Sequence, residues 1–186
     1  TCPYAYIFET PPPADAAITL SITIPTHQRP AGERPVPCLG AALESIAVQG
    51  SAAGSCEVIV VEDGPLSPET AGTLRAYQPR LRLTAVSAGA AHQPLGALRN
   101  LGLRHARGRW VLCMDDDTVL VPGFLEAFLT VESSVDASRD ILLPRRHARY
   151  GLLAARCDAL EPYALSTGCI IYPRALLERV RGFRDA

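Results

Sequence analysis

The chain is 186 residues long, 48% hydrophobic and 20% charged, with a net charge of −1. Those figures describe one globular domain with a sizeable core and exclude an electrostatic footprint for nucleic acid or an anionic membrane. All 18 basic residues are arginine, which excludes a Schiff base, a phosphate-loop lysine and a lysine acid or base.

Residues 1–18 include Pro11-Pro12-Pro13 and read as an extended lead-in to a domain over 19–186. Leu20 to Ile24 is a first strand, expected to stop at Pro25. Leu39, Leu43 and Ile46 have the spacing of a buried helix face. The run Val58-Ile59-Val60-Val61 reads as a parallel strand buried on both faces, ending in Glu62-Asp63-Gly64-Pro65. Ser67-Pro68-Glu69 supplies an N-cap and a first-turn proline for the next helix. A strand over 81–86, a Gly/Ala loop over 88–96 and a helix over about 97–106 follow, then a strand over 110–114. Pro122 to Val131 reads as a helix, Ile141 to Leu143 as a short strand, Ser166 to Tyr172 as a strand and Arg174 to Val180 as a helix. The stretch 144–165 gives no clear signal. Alternating strands and helices imply an α/β fold, a Rossmann-like open, mainly parallel sheet flanked by helices.

Six cysteines (Cys2, Cys38, Cys56, Cys113, Cys157 and Cys169) are scattered without a CxxC pair, three of them in apolar runs. That dispersion points to a reducing compartment, so a cytoplasmic location is expected. No run approaches the ~20 apolar residues of a membrane-spanning helix, and no signal-peptide pattern opens the chain.

The chemistry concentrates at strand ends. Asp115, Asp116 and Asp117 directly follow the apolar run 110–114, at the carboxyl end where open α/β sheets bind ligands. Crowded carboxylates repel one another, and a divalent cation such as Mn²⁺ or Mg²⁺ relieves that repulsion through oxygen ligation. Acids after a strand also cap helices, the plainer alternative. Asp63 ends another strand, where a carboxylate could accept a hydrogen bond from a base or ribose; Asp63-Gly64 is equally an ordinary turn pair. Arg99 opens the helix before the acidic strand and could reach phosphate, or could be a solvated helix residue.

Taken together, these segments resemble family 2 glycosyltransferases of the GT-A fold. The matching stretches are Ile22 to Thr26; Leu43 to Ile46 through Gln49; Val58 to Gly64; Gly96 through Arg99-Asn100-Leu101-Gly102; Gly108-Arg109-Trp110 through Asp115–Asp117 to Pro122-Gly123; and Gly168 through Gly182-Phe183. They occur in the family's order and spacing over about residues 19–186.

The resemblance implies a nucleoside-diphosphate sugar as donor, UDP being the commonest nucleotide, and transfer with inversion to an acceptor that the sequence does not identify. It implies that Pro25, Thr26 and Asp63 line the base pocket and that Arg99 lies near the sugar or diphosphate. Asp115 and Asp117 would form the Asp-X-Asp pair, with Asp117 the direct metal ligand and Asp116 within the nucleotide-sugar site. His27-Gln28 stands where the family usually has Tyr-Asn, and Glu62 where an Asp is common. The family's general base lies in an acidic pair past Gly-Phe, so it is expected beyond Ala186, with Asp185 and Glu161 the candidates within the chain. Two other readings compete. One is a non-catalytic sugar-nucleotide-binding relative. The other is a haloacid-dehalogenase-type phosphatase, whose Asp-X-Asp-X-Thr/Val motif the acidic cluster resembles but whose downstream lysine is missing.

Overall fold

A computed structural model describes residues 5–9, 17–27, 38–89, 92–144, 152–156 and 169–184. Among these residues eight strands form one sheet: β1 (Ala5–Glu9), β2 (Leu20–His27), β3 (Cys56–Asp63), β4 (Leu83–Ser87), β5 (Trp110–Met114), β6 (Asp140–Pro144), β7 (Leu152–Arg156) and β8 (Cys169–Pro173). Their spatial order is β1-β4-β3-β2-β5-β8-β6-β7. The middle strands β4, β3, β2 and β5 run parallel. The flanking pairs β1–β4, β5–β8, β8–β6 and β6–β7 are antiparallel. The α/β alternation predicts the parallel centre, and its helices supply the crossovers such pairs need. It does not reveal β1 or β7, nor that β8 inserts antiparallel between β5 and β6.

Among the described residues, α-helices α1 (Leu39–Ala47), α2 (Pro68–Tyr77), α3 (Leu95–His105), α4 (Phe124–Glu132) and α5 (Arg174–Arg179) cover the sheet. Alternate strand residues feed two cores. Ile22, Ile24, Val58, Val60, Leu112 and Met114 face α1, α2 and α4 through Leu43, Ile46, Leu74, Leu125 and Phe128. Ile59, Val61, Val111 and Cys113 face α3 and α5 through Leu98, Leu101 and Leu177. None of Val58, Ile59, Val60 and Val61 is more than 1% exposed, so β3 is covered on both faces. Ser67 caps α2 as expected, accepting from the Thr70 backbone N–H at 3.0 Å.

Several boundaries differ from expectation by one to three residues, and two of the differences have a local cause. β2 continues through Pro25 to His27, with Pro25 opposite Val61. Its ladder to β5 ends at Thr23–Cys113, so Pro25 lies where the strand has a neighbour on one side only and a missing N–H is tolerated. Helix α4 begins at Phe124 rather than Pro122, because Gly123 turns the chain with φ of 81° and the Phe124 N–H bonds back to Val121 at 3.1 Å.

Gly108 fixes how β5 approaches β2. Its N–H donates to Ser21 Oγ at 2.8 Å, and a Cβ there would fall 2.7 Å from the Ser21 nitrogen and 2.9 Å from the Leu20 carbonyl carbon. The β2 backbone at this peptide cannot give way cheaply. Gly108→Ala is expected to lower unfolding stability by about 1–3 kcal/mol. Gly72→Ala, in α2 with open space around it, should instead raise it by about 0.5–1 kcal/mol. Urea denaturation of both variants measures the difference in sign.

Candidate functional site

The carboxyl ends of β2, β3 and β5 meet at one edge of the sheet. There a cavity of about 360 Å³ is lined by Pro25, Thr26, His27, Asp63, Gln93, Leu95, Leu98, Asp115, Asp116 and Asp117. The separate strand ends carry the acids, and only the parallel register brings them together: Thr26 pairs with Glu62 and His27 with Asp63. Six of the seven site residues expected from sequence line this cavity, and the seventh, Arg99, bonds to one of them.

The three consecutive aspartates have different surroundings. They lie at a turn closed by the Thr118 N–H on the Asp115 carbonyl, at 3.1 Å. Asp115 Oδ1 accepts from Arg99 Nη2 at 3.2 Å. Asp116 is buried and its Oδ2 accepts from Thr26 Oγ1 at 2.7 Å. Asp117 is exposed. Two of the three acids are thus engaged within the chain, one by a guanidinium and one by a hydroxyl. Among the described residues no three His, Cys, Asp or Glu side chains gather as a metal cage.

The loop after these acids is held from α1. Leu120 N–H donates to Ser45 Oγ at 2.9 Å, Gln49 Nε2 donates to the Val121 carbonyl at 3.0 Å, and Leu125 N–H donates to Gln49 Oε1 at 3.3 Å. Buried Ser45 and Gln49 thus anchor the segment that carries Asp117 into helix α4.

Asp63 is held from the other side. Its Oδ1 accepts from the Gln93 N–H at 2.9 Å, and Oδ2 lies 2.8 Å from His92 Nδ1. The Asp63 side chain is 8% exposed while His92 is 88% exposed, so the loop between β4 and α3 covers the carboxylate with an accessible imidazole. The sequence offers no signal for this role: His92 follows a Gly/Ala loop and has no periodic partner.

Glu57 and Glu62, both on β3 and both 1% exposed, have opposite surroundings. Glu57 accepts from Ser21 Oγ at 2.6 Å, from the Arg107 N–H at 2.7 Å and from Arg107 Nε at 2.8 Å. Both Glu62 oxygens are buried without a hydrogen-bond partner in good geometry. Burial pushes the Glu62 carboxyl up from 4.5 to about 7; the nearby Thr70 hydroxyl opposes the rise, and the charges of Asp116 and Asp63 add to it. The buried thiols respond in the same way: Cys56 is pushed up to about 12 and Cys113 to about 11, mainly by desolvation.

Because Glu62 titrates higher folded than unfolded, its contribution to stability is fully present below about pH 4.5 and is lost as pH rises through about 7. Glu62→Gln removes the charge that burial disfavours. The variant should match the parent near pH 5 and exceed it at pH 8 by on the order of 1–3 kcal/mol. Thermal melts across pH 5–8 would show a falling midpoint for the parent and a flatter one for the variant.

No curated protein matches the sequence. The family model described as glycosyl transferase family 2 matches residues 21–151. Solved structures show a similar fold. One is S. aureus TarS 1–349 in complex with UDP-GlcNAc, with a TM-score of 0.68 and 21% identity over 88% of this chain and 48% of that one. Another is the mannosyltransferase PcManGT from Pyrobaculum calidifontis in complex with GDP-Man and Mn²⁺, with a TM-score of 0.63 and 20% identity over 93% of this chain and 51% of that one. The chain therefore spans about half the length of these structures.

Proposed function

The chain belongs to glycosyl transferase family 2, and on that premise we propose that its cleft binds a nucleoside-diphosphate sugar with a divalent cation and serves an inverting sugar transfer. The observation that carries this reading is the convergence of Thr26, Asp63, Asp115, Asp116 and Asp117 on one cavity at the carboxyl edge of the parallel strands. The family match also leaves the phosphatase alternative without support.

Asp63, fixed by Gln93 and His92, is the acceptor for a base N–H at the β2–β3 side of the cleft. Pro25 forms the floor beside it. Asp115 and Asp117 both open on the cleft and their oxygen atoms suit Mn²⁺ or Mg²⁺. Two carboxylates leave coordination positions for diphosphate oxygens and water, the usual arrangement for such a cation at a phosphate site. When bound, the cation would offset the diphosphate charge and stabilise the departing nucleoside diphosphate as a Lewis acid. Arg99 steadies Asp115, and Thr26 ties Asp116 to β2, so the acids keep their positions before ligand arrives.

The solved relatives carry both uridine and guanosine nucleotides; UDP is proposed from family frequency. The acceptor is not specified by these residues. The in-chain candidates for the general base, Glu161 and Asp185, lie outside the described residues. Cys38, Cys56 and Cys113, free thiols, support a reducing, cytoplasmic setting. Among the described residues, no helix is long and apolar enough to cross a membrane.

Two measurements test the assignment. Asp63→Ala should weaken binding of the cognate nucleoside diphosphate by about 1–3 kcal/mol, the cost of losing a charged hydrogen-bond acceptor. Calorimetry with UDP and GDP reads this directly, and parent-like binding by the variant would reduce Asp63 to a turn residue. Asp117→Ala should keep the fold, since its side chain is exposed, and should remove the Mn²⁺ dependence of nucleotide binding. A variant that still binds nucleotide only with Mn²⁺ would take Asp117 out of the metal site.

A further inference from the structure

Arg99 lies between the donor cleft and the end of the described chain. Its side chain is 6% exposed, and Nη2 reaches Asp115 Oδ1 at 3.2 Å. On its other side the guanidinium carbon stands 5.9 Å from the centroid of the Phe183 ring, within cation–π range. The ring meets Tyr172 edge-on, centroids 5.6 Å apart. The Phe183 backbone is gripped twice by one side chain: its N–H donates to Asn100 Oδ1 and its carbonyl accepts from Asn100 Nδ2, both at 2.8 Å. Gly182 makes this grip possible, since it has a φ of 82° and a Cβ there would collide with the Asn100 amide oxygen.

We infer that Phe183 is a positioning residue for the donor site, acting through Arg99 on the carboxylate of Asp115. The aromatic face directs the guanidinium onto Oδ1 of an acid that lines the cleft. Without that face the guanidinium's orientation at Asp115 changes, and the acid is misplaced. Arg99 and Asn100 are sequence neighbours on α3, one gripping the acid and the other the segment that carries the ring. The seating of the chain around residue 183 and the readiness of the donor site are thereby linked. This inference rests on the proposed role of Asp115 at the cation.

Two experiments decide it. The first uses no nucleotide. In ¹⁵N-arginine-labelled full chain, the Arg99 side-chain Nε–H signal is identified by its loss in Arg99→Lys. Phe183→Leu should broaden it or speed its exchange with water, and Phe183→Tyr, which keeps the ring face, should restore it. An unchanged signal in Phe183→Leu overturns the inference, even if the parent protein binds no nucleotide at all. The second titrates Mn²⁺ calorimetrically with UDP and with GDP. Phe183→Leu should weaken Mn²⁺-dependent binding roughly three- to thirty-fold, with Phe183→Tyr close to the parent and metal-free nucleotide binding unchanged. Equal losses in the Leu and Tyr variants, or equal losses with and without Mn²⁺, would mean that Phe183 acts only as a packing residue and would overturn the inference. A parent that binds neither nucleotide with Mn²⁺ contradicts the donor-site reading and this role for Asp115 together, leaving the Arg99 signal to report the coupling alone.

Discussion

β2 is paired with two parallel neighbours along its first half and with one along its second. Its ladder to β5 ends at Thr23, while its ladder to β3 runs on to His27. Succession along the chain also reverses here, since β3 and β4 lie to one side of β2 and β5 to the other. Where two parallel strands diverge, the following loops must separate, and a crevice opens at their carboxyl ends. Every described feature of the site depends on that divergence. It leaves room for Pro25, exposes the end of β2 to the cleft and lets the Thr26 hydroxyl reach across to Asp116.

Much of this was legible because strand ends are marked by composition. A run of buried apolar residues that stops abruptly in acids, as at Val61-Glu62-Asp63 and Met114-Asp115, reports both a strand and its solvent-facing end. The parallel centre followed from helices between strands. The antiparallel β8 did not, because pairing direction depends on which edge remains open rather than on any property of Cys169–Pro173. Pro25 misled for a related reason: its cost depends on whether a neighbour needs its N–H, which is a fact about β5. The orientations of the three aspartates were equally hidden. Adjacency in sequence does not reveal that Asp115 takes a guanidinium and Asp116 a hydroxyl while Asp117 is exposed. His92 was invisible because its role comes from a loop folding back over β3.

Buried carboxyls show how the sheet separates structural from functional charge. Glu57, near the start of β3, has its charge matched by Arg107 and its oxygens occupied. Such a fully engaged group holds β3 to the residues before β5 and has nothing left for a ligand. Glu62, near the end of the same strand, is as deeply buried but has no such partners. Its elevated titration follows directly: an ionised carboxylate there would face desolvation and two neighbouring acids together. The protein tolerates it because the proton is retained until about neutral pH.

That elevated proton affinity bears on the donor reading. Asp63, Asp115, Asp116 and Asp117 line one cleft, with Glu62 behind them. Against them stand the Arg99 guanidinium on Asp115 and the His92 imidazole on Asp63. A nucleoside diphosphate brings further negative charge to this edge. In a partly desolvated crevice like charges repel more strongly than in water. On the proposed reading a dication offsets that repulsion, so the diphosphate binds more tightly in its company. The acidic edge then becomes the selective element. On that reading Asp115 and Asp117, which line the cleft, would hold the cation that accompanies the donor.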